Sequence, residues 1–147
     1  MSTRVLTFFY GSYMNPAVLA EVNVRPERFD VARLDGYDIR IAPRANLVTS
    51  AEHCVYGVLA ALTHGELDRL YAHARDVLGE VYRPRAVLAQ TADGGWRPAL
   101  CFIADEMEAR PAEQAYVARI VAPAREFGFP DWYIARLKAS KDTSGGR

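Results

Sequence analysis

The period of apolar and polar positions changes several times along the chain, and each change marks an element. Residues 4–10 are rich in β-branched and aromatic side chains and stop at Gly11, which predicts a buried strand. Asn15-Pro16 punctuates the chain there, and Pro16 suits the first turn of a short helix through Leu19. Residues 31–34 and 37–41 read as short strands around a turn at Asp35-Gly36, and residues 43–50 read as loop. Residues 55–62 are an apolar strand. Thr63 and Glu66 have the spacing of a capping box, and Leu67, Leu70, Tyr71 and Ala74 follow at helical spacing until Gly79 stops the helix. Residues 81–89 alternate as a strand, Asp93-Gly94-Gly95 makes a turn, and residues 98–104 form the partner strand. Pro111 is expected to open a helix with Ala115, Ile120 and Val121 on one apolar stripe. Gly128 breaks it, and a last short helix runs from residue 130 to about 138. The stretch 141–147 is polar and Gly-rich.

Strands fill the first two-thirds and helices the end, which is an α+β pattern rather than alternating βαβ. The expected architecture is a small mixed β-barrel-like sheet with flanking helices, forming a single domain over residues 1–139 with a flexible tail at 140–147. A chain of 147 residues is long enough for one domain with its own core. Lys plus Arg and Asp plus Glu are 18 each, so no overall charge draws the protein to nucleic acid or to an anionic membrane. The apolar runs fall short of the roughly 20 residues a membrane helix needs. The first residues lead into a strand-like run without a separate apolar signal segment, and a cytoplasmic protein is expected. Cys54 and Cys101 sit in apolar strand-like runs. Buried reduced thiols are expected there, with a disulfide or a nucleophile as the alternatives.

The segment from Tyr10 to Met14 is the first candidate for chemistry. A Gly at a strand end lets the backbone turn with positive φ and come close to a ligand. Successive amide N–H groups in such a turn can converge into an anion-binding nest, and Ser12 adds a hydroxyl donor. A plain strand-to-helix turn would use the same residue types. The three histidines, at 53, 64 and 73, form no cluster with Cys or carboxylates at metal-ligand spacing.

Four segments in order resemble the gamma-glutamylcyclotransferase-like family. Phe9-Tyr10-Gly11-Ser12-Tyr13-Met14 is similar to its signature, in which aromatic-Tyr-Gly-Ser-Asn-(Leu/Met) follows the first strand. Val55-Tyr56-Gly57-Val58-Leu59 looks like its central strand. Leu67-Asp68-Arg69-Leu70, then Val81-Tyr82-Arg83-Pro84, looks like its helix and following strand. Tyr116-Val117-Ala118-Arg119-Ile120 through Gly128-Phe129-Pro130-Asp131-Trp132-Tyr133 looks like its C-terminal helices. The resemblance implies a barrel-like sheet with a cavity at one end. It also implies a transferase of glutathione-related metabolism that needs no metal or cofactor. In that reaction the α-amine of a γ-glutamyl amide attacks the γ-carbonyl, releasing 5-oxoproline and an amine or amino acid. The loop at Tyr10, Gly11, Ser12, Tyr13 and Met14 would hold the glutamyl α-carboxylate, and Tyr82 and Tyr116 would line the substrate cavity.

The chain departs from the family at the catalytic glutamate. Counting from Leu70 puts Ala74 or Arg75 at that position. Two carboxylates lie close by, Asp76 and Glu80. If the chain is extended after Gly79, Glu80 and Tyr82 point to one face, because strand side chains alternate. Glu80 is therefore favoured over Asp76 as general acid/base, and a solvated loop carboxylate is the alternative for either. Tyr13 stands where the family usually has Asn, which reshapes the pocket. His73 is an alternative base. Arg40, Arg44 and Arg75 are possible carboxylate clamps, though each also reads as a surface arginine. Tyr133 matches a family tyrosine but reads equally as core. The rival functions are a non-catalytic binder of a small carboxylate, a related acyltransfer enzyme, and an interaction protein. Phe127, Phe129 and Trp132 are a candidate aromatic patch for a homodimer, with a monomer the alternative.

Overall fold

The computed structural model describes residues 3–140. Five strands close into a barrel: β1 (Arg4–Phe9), β2 (Asp30–Ile41), β3 (Ala45–Thr63), β4 (Arg83–Thr91) and β5 (Trp96–Ile103). Their order around the barrel is β1-β3-β2-β4-β5. Neighbours are antiparallel except β1 and β5, which close the sheet in parallel, with Thr7 opposite Leu100 and Phe8 opposite Cys101. The helices are α1 (Pro16–Glu21), α2 (His64–His73), α3 (Gln114–Glu126) and α4 (Asp131–Ala139). The expected α+β sheet with flanking helices is what forms.

One continuous core fills the barrel and reaches under the helices. Phe8, Val55, Val58, Leu59 and Leu62 are buried in it, and Leu70, Ile120, Tyr133 and Leu137 bring the helices onto it. Cys101 belongs to this core, and burial pushes its thiol up to about 12. Both cysteines are free thiols.

Two expectations about strands are corrected. Asp35-Gly36 is not a hairpin turn: β2 runs straight through it, and the pairing with β3 shifts register between Asp35 and Tyr37. Gly36 absorbs the extra residue at φ +89°, a value that favours glycine. The supposed loop at 43–50 is strand from Ala45 onward. Its buried Asn46 uses its side-chain amide on the end of β5, donating to the Ala104 carbonyl and accepting from the Ala104 N–H, both at 3.0 Å.

The helix starts follow local chemistry. Thr63 Oγ1 accepts the Glu66 N–H at 3.1 Å, and Glu66 Oε1 accepts the Thr63 N–H at 2.8 Å, the reciprocal bonds of the predicted capping box. Thr63→Ala should lower stability by about 1 kcal/mol, read as a shifted urea midpoint at unchanged slope. Helix α3 begins at Gln114, so Pro111 precedes it rather than opening it. Pro123 lies inside α3 and frees the carbonyl four residues earlier. That carbonyl, of Arg119, accepts the Asn15 side-chain N–H at 3.1 Å, which ties α3 to the loop after β1. Of the tail expected at 140–147, residues 141–147 lie outside the described residues.

Candidate active site

The site forms where β1 leaves the barrel. After Phe9 the chain makes a single 3-10 turn, with the Met14 N–H on the Gly11 carbonyl and the Asn15 N–H on the Ser12 carbonyl, each at 3.0 Å. Asn15 then caps α1 through Oδ1 on the Ala17 N–H at 3.0 Å. The amides of Gly11, Ser12 and Tyr13 have no backbone acceptor among the described residues. They stand together beside a cavity, which is the arrangement an anion nest requires.

Gly11 serves a different purpose from the one expected. Its φ is −117°, so positive φ is not involved. The loop instead passes so close to β3 that a Cβ on Gly11 would lie 2.8 Å from the Ala45 Cβ. Close approach is the reason for glycine here.

The cavity is narrow, with about 30 Å³ open to the centre of a water molecule. Phe8 to Tyr13 form one side of it, and Ala45, Leu78, Tyr82, Phe102 and Tyr116 complete the lining. Hydrogen bonds fix the tyrosines. The Tyr10 hydroxyl donates to the Phe102 carbonyl and the Tyr82 hydroxyl to the Ala45 carbonyl. The Tyr116 hydroxyl accepts the Ala45 N–H at 2.9 Å. Phe102 anchors the floor: it stacks on Tyr71 at 4.1 Å and meets Phe9 and Tyr13 edge-on at 6.0 Å.

The two candidate carboxylates separate cleanly in space. Helix α2 continues as a wider π-type turn over Ala74–Leu78, and Gly79 ends it at φ +80°. The Glu80 N–H closes back on the Ala74 carbonyl at 3.0 Å. From there the chain alternates: Glu80 and Tyr82 are buried, and Val81 between them is exposed. Glu80 keeps only 8% of its surface, and no described side chain donates a hydrogen bond to its carboxylate. It does not line the cavity itself, but its charge acts on Tyr82 and Tyr116, which do. Asp76 lies on the outside of the turn with 64% of its side chain exposed. It is held by Arg75 through bonds of 2.9 and 3.2 Å, and that hydrogen bonding lowers its pKa. Asp76 and Arg75 thus neutralise each other away from the cavity.

Burial raises the titration of Tyr10, Tyr13, Tyr82 and Tyr116, so all four stay protonated at neutral pH. Arg44 opposes that rise in Tyr13, Tyr82 and Tyr116. Its guanidinium lies 4.8 Å from the centre of the Tyr116 ring, and its Nε donates to the Leu78 carbonyl at 3.2 Å. Of the three arginines singled out in the sequence, Arg44 is the one beside the cavity. Arg40 borders a separate surface groove with Arg85 and Asp105.

Other candidates fall elsewhere. Met14 is fully buried in the core, spends its amide on the 3-10 turn and does not line the cavity. Tyr133 is core. In the aromatic patch Phe129 is buried and Phe127 packs on Phe29 at 5.8 Å, which leaves Trp132 as the exposed ring. His73 has a partner no spacing rule announced: its Nδ1 lies 2.9 Å from the Tyr13 hydroxyl, 60 residues away in sequence. Ala45, Leu78 and Phe102 also join the lining without any local signal. Among the described residues no group of three or more His, Cys, Asp or Glu could hold a metal, and no helix is long and apolar enough to cross a membrane.

The family described as "Gamma-glutamyl cyclotransferase, AIG2-like" matches residues 7–120, and the chain belongs to it. Among solved structures, one titled "Gamma-glutamyl cyclotransferase" superposes with a TM-score of 0.82 at 24% identity, covering 92% of this chain and 87% of that one. YkqA from Bacillus subtilis gives 0.80 at 24% identity, covering 95% of this chain and 55% of its own. A yeast gamma-glutamyl cyclotransferase described as specific to glutathione gives 0.64 at 12% identity over 97% of both chains. At these identities the likeness is one of fold. No curated protein matches the sequence.

Proposed function

We propose that this protein cyclises a γ-glutamyl amide, releasing 5-oxoproline and an amine or amino acid. The observation behind this reading is the set of three amides without a backbone acceptor, at Gly11, Ser12 and Tyr13, beside a tyrosine-walled cavity, with the buried Glu80 two residues from Tyr82 of that wall. The amides hold the glutamyl α-carboxylate. The tyrosine walls fold the substrate so that its amine faces its own γ-carbonyl. Ring closure then becomes intramolecular, which is worth on the order of 7–11 kcal/mol in well-aligned cases. Glu80, which lies behind the cavity wall and acts through a bridging water, takes a proton from the α-ammonium and passes it to the leaving nitrogen; the amine nitrogen forms the lactam bond and gives its second proton to Glu80 as the γ-C–N bond breaks. No step requires a metal or cofactor.

A binder of small carboxylates is the second reading, favoured by Ala74 and Arg75 standing where the family places its glutamate. Incubation with a panel of γ-glutamyl amino acids and γ-glutamyl amines, scored for 5-oxoproline, separates the two. The proposed enzyme releases 5-oxoproline from at least one compound. Release from none at high enzyme concentration leaves the binder.

A further inference from the structure

Arg44 is a half-buried cation without a counter-ion. Among the described residues two arginines are half-buried, Arg33 and Arg44. Arg33 pairs with Asp35 at 2.9 Å. Arg44 spends its Nε–H on the Leu78 carbonyl at 3.2 Å, and its Nη groups have no acceptor among the described residues. Glu80 acts on the same tyrosines, Tyr82 and Tyr116, yet makes no ion pair with it. A guanidinium partly withdrawn from water and left unpaired loses hydration that a ligand anion would replace.

Tyr116 sets the position of this cation relative to the amide loop. Its hydroxyl lies 4.0 Å from the point a Gly11 Cβ would occupy. Its ring centre lies 4.8 Å from the Arg44 guanidinium. One tyrosine therefore stands between the free amides and the free cation. The cavity is narrow, so the bulk of a leaving group lies outside it, past Leu78 and Tyr116, the two lining residues that Arg44 touches.

We propose that Arg44 binds a second carboxylate, the one on the carbon bonded to the leaving nitrogen, and so selects γ-glutamyl α-amino acids over γ-glutamyl amines. The inference rests on the cyclotransferase reading. With the glutamyl carboxylate on the amides, the γ-carbonyl and the leaving nitrogen point away from the loop. An α-carboxylate on the leaving group stands only two bonds beyond that nitrogen. Leu78 holds Nε, which leaves the Nη1–Nη2 edge of the guanidinium for a bidentate contact with both carboxylate oxygens. A γ-glutamyl amine has nothing to offer that edge, and Arg44 stays unpaired.

The test uses the full chain and a matched pair of substrates, γ-glutamyl-L-alanine and γ-glutamylethylamide, which differ only by that carboxylate. Wild type should favour the alanine compound in kcat/KM by roughly tenfold to a hundredfold, the range of a charge-assisted contact. Arg44→Gln should shrink the ratio to about threefold or less, chiefly through a raised KM for the alanine compound. Losing the contacts to Leu78 and Tyr116 acts on both compounds alike, so the ratio isolates the carboxylate. Arg44→Lys keeps the charge without the fork and should fall between the two. 5-Oxoproline retains the glutamyl carboxylate and lacks the leaving group, so Arg44→Gln should change its affinity by less than about threefold. An equal fall in kcat/KM for both compounds would assign Arg44 to the cavity wall or to Glu80. A loss of 5-oxoproline affinity of roughly tenfold would assign it to the glutamyl carboxylate. Either result overturns the proposal and leaves cyclisation standing. Equal wild-type turnover of the two compounds, or a preference for the ethylamide, does the same and requires no variant to fold. Failure of wild type to release 5-oxoproline from any γ-glutamyl compound overturns both readings.

Discussion

Glu80→Gln should lower kcat for 5-oxoproline release by about 10²- to 10⁴-fold, the usual range for a lost general acid/base, and leave product binding nearly unchanged. The substitution keeps the shape of the side chain and removes only the group that accepts a proton. The amides at Gly11, Ser12 and Tyr13 are untouched, so the carboxylate of the ligand still docks. Steady-state kinetics together with calorimetric binding of 5-oxoproline separate the two effects. Asp76→Asn is the matched control, because that carboxylate is exposed and already neutralised by Arg75. Near wild-type turnover in Glu80→Gln, or its loss in Asp76→Asn, reverses the assignment.

Gly57→Val should destabilise the fold more than any other single change considered. Gly57 lies on β3 opposite Ala32, with β1 packed against it. A Cβ there would meet the Phe9 carbonyl oxygen at 2.3 Å and the Phe8 ring at 2.6 and 2.9 Å. Phe8 and Phe9 are held by pairing to Leu59 and Val58, so neither backbone can yield cheaply. A cost of about 3 kcal/mol or more follows, a large part of the 5–15 kcal/mol a typical domain has. Phe8 and Phe9 also line the cavity, so ligand binding should go with the fold. Urea unfolding measures the loss. Gly65→Ala on α2 provides the contrast, since the nearest neighbour of its added Cβ is at 3.9 Å and helix propensity favours alanine. Equal stabilities for the two variants contradict the packing argument.

The parts of this fold legible in the sequence are those governed by local chemistry. The capping box at Thr63 and Glu66, the apolar runs of β1 and β3 and the alternation that buries Glu80 and Tyr82 all follow from neighbours within a few residues. Asp35-Gly36 shows where local reading stops. The pair is a strong hairpin signal, and only the long partner strand, pairing on both sides of it, turns it into a bulge. Residues 45–50 are polar enough to read as loop, yet barrel closure recruits them as strand, and Asn46 binds a segment 58 residues away. The site divides in the same way. The amide loop is contiguous and readable. Tyr82 and Tyr116 join the cavity wall as the family resemblance implies. Ala45 and Phe102, the choice of Arg44 among three arginines and the Tyr13–His73 contact depend on which barrel strands and helices become neighbours.

The central claim is that the Gly11–Tyr13 amides hold the carboxylate of a γ-glutamyl ligand next to Glu80. Titration of ¹⁵N-labelled protein with 5-oxoproline, followed by amide chemical shifts, tests it most directly. The amide resonances of Gly11, Ser12 and Tyr13 should move downfield together and saturate, with smaller shifts at Ala45, Glu80 and Tyr82. Unmoved resonances at Gly11 and Ser12, or saturating shifts confined to another face, would contradict it.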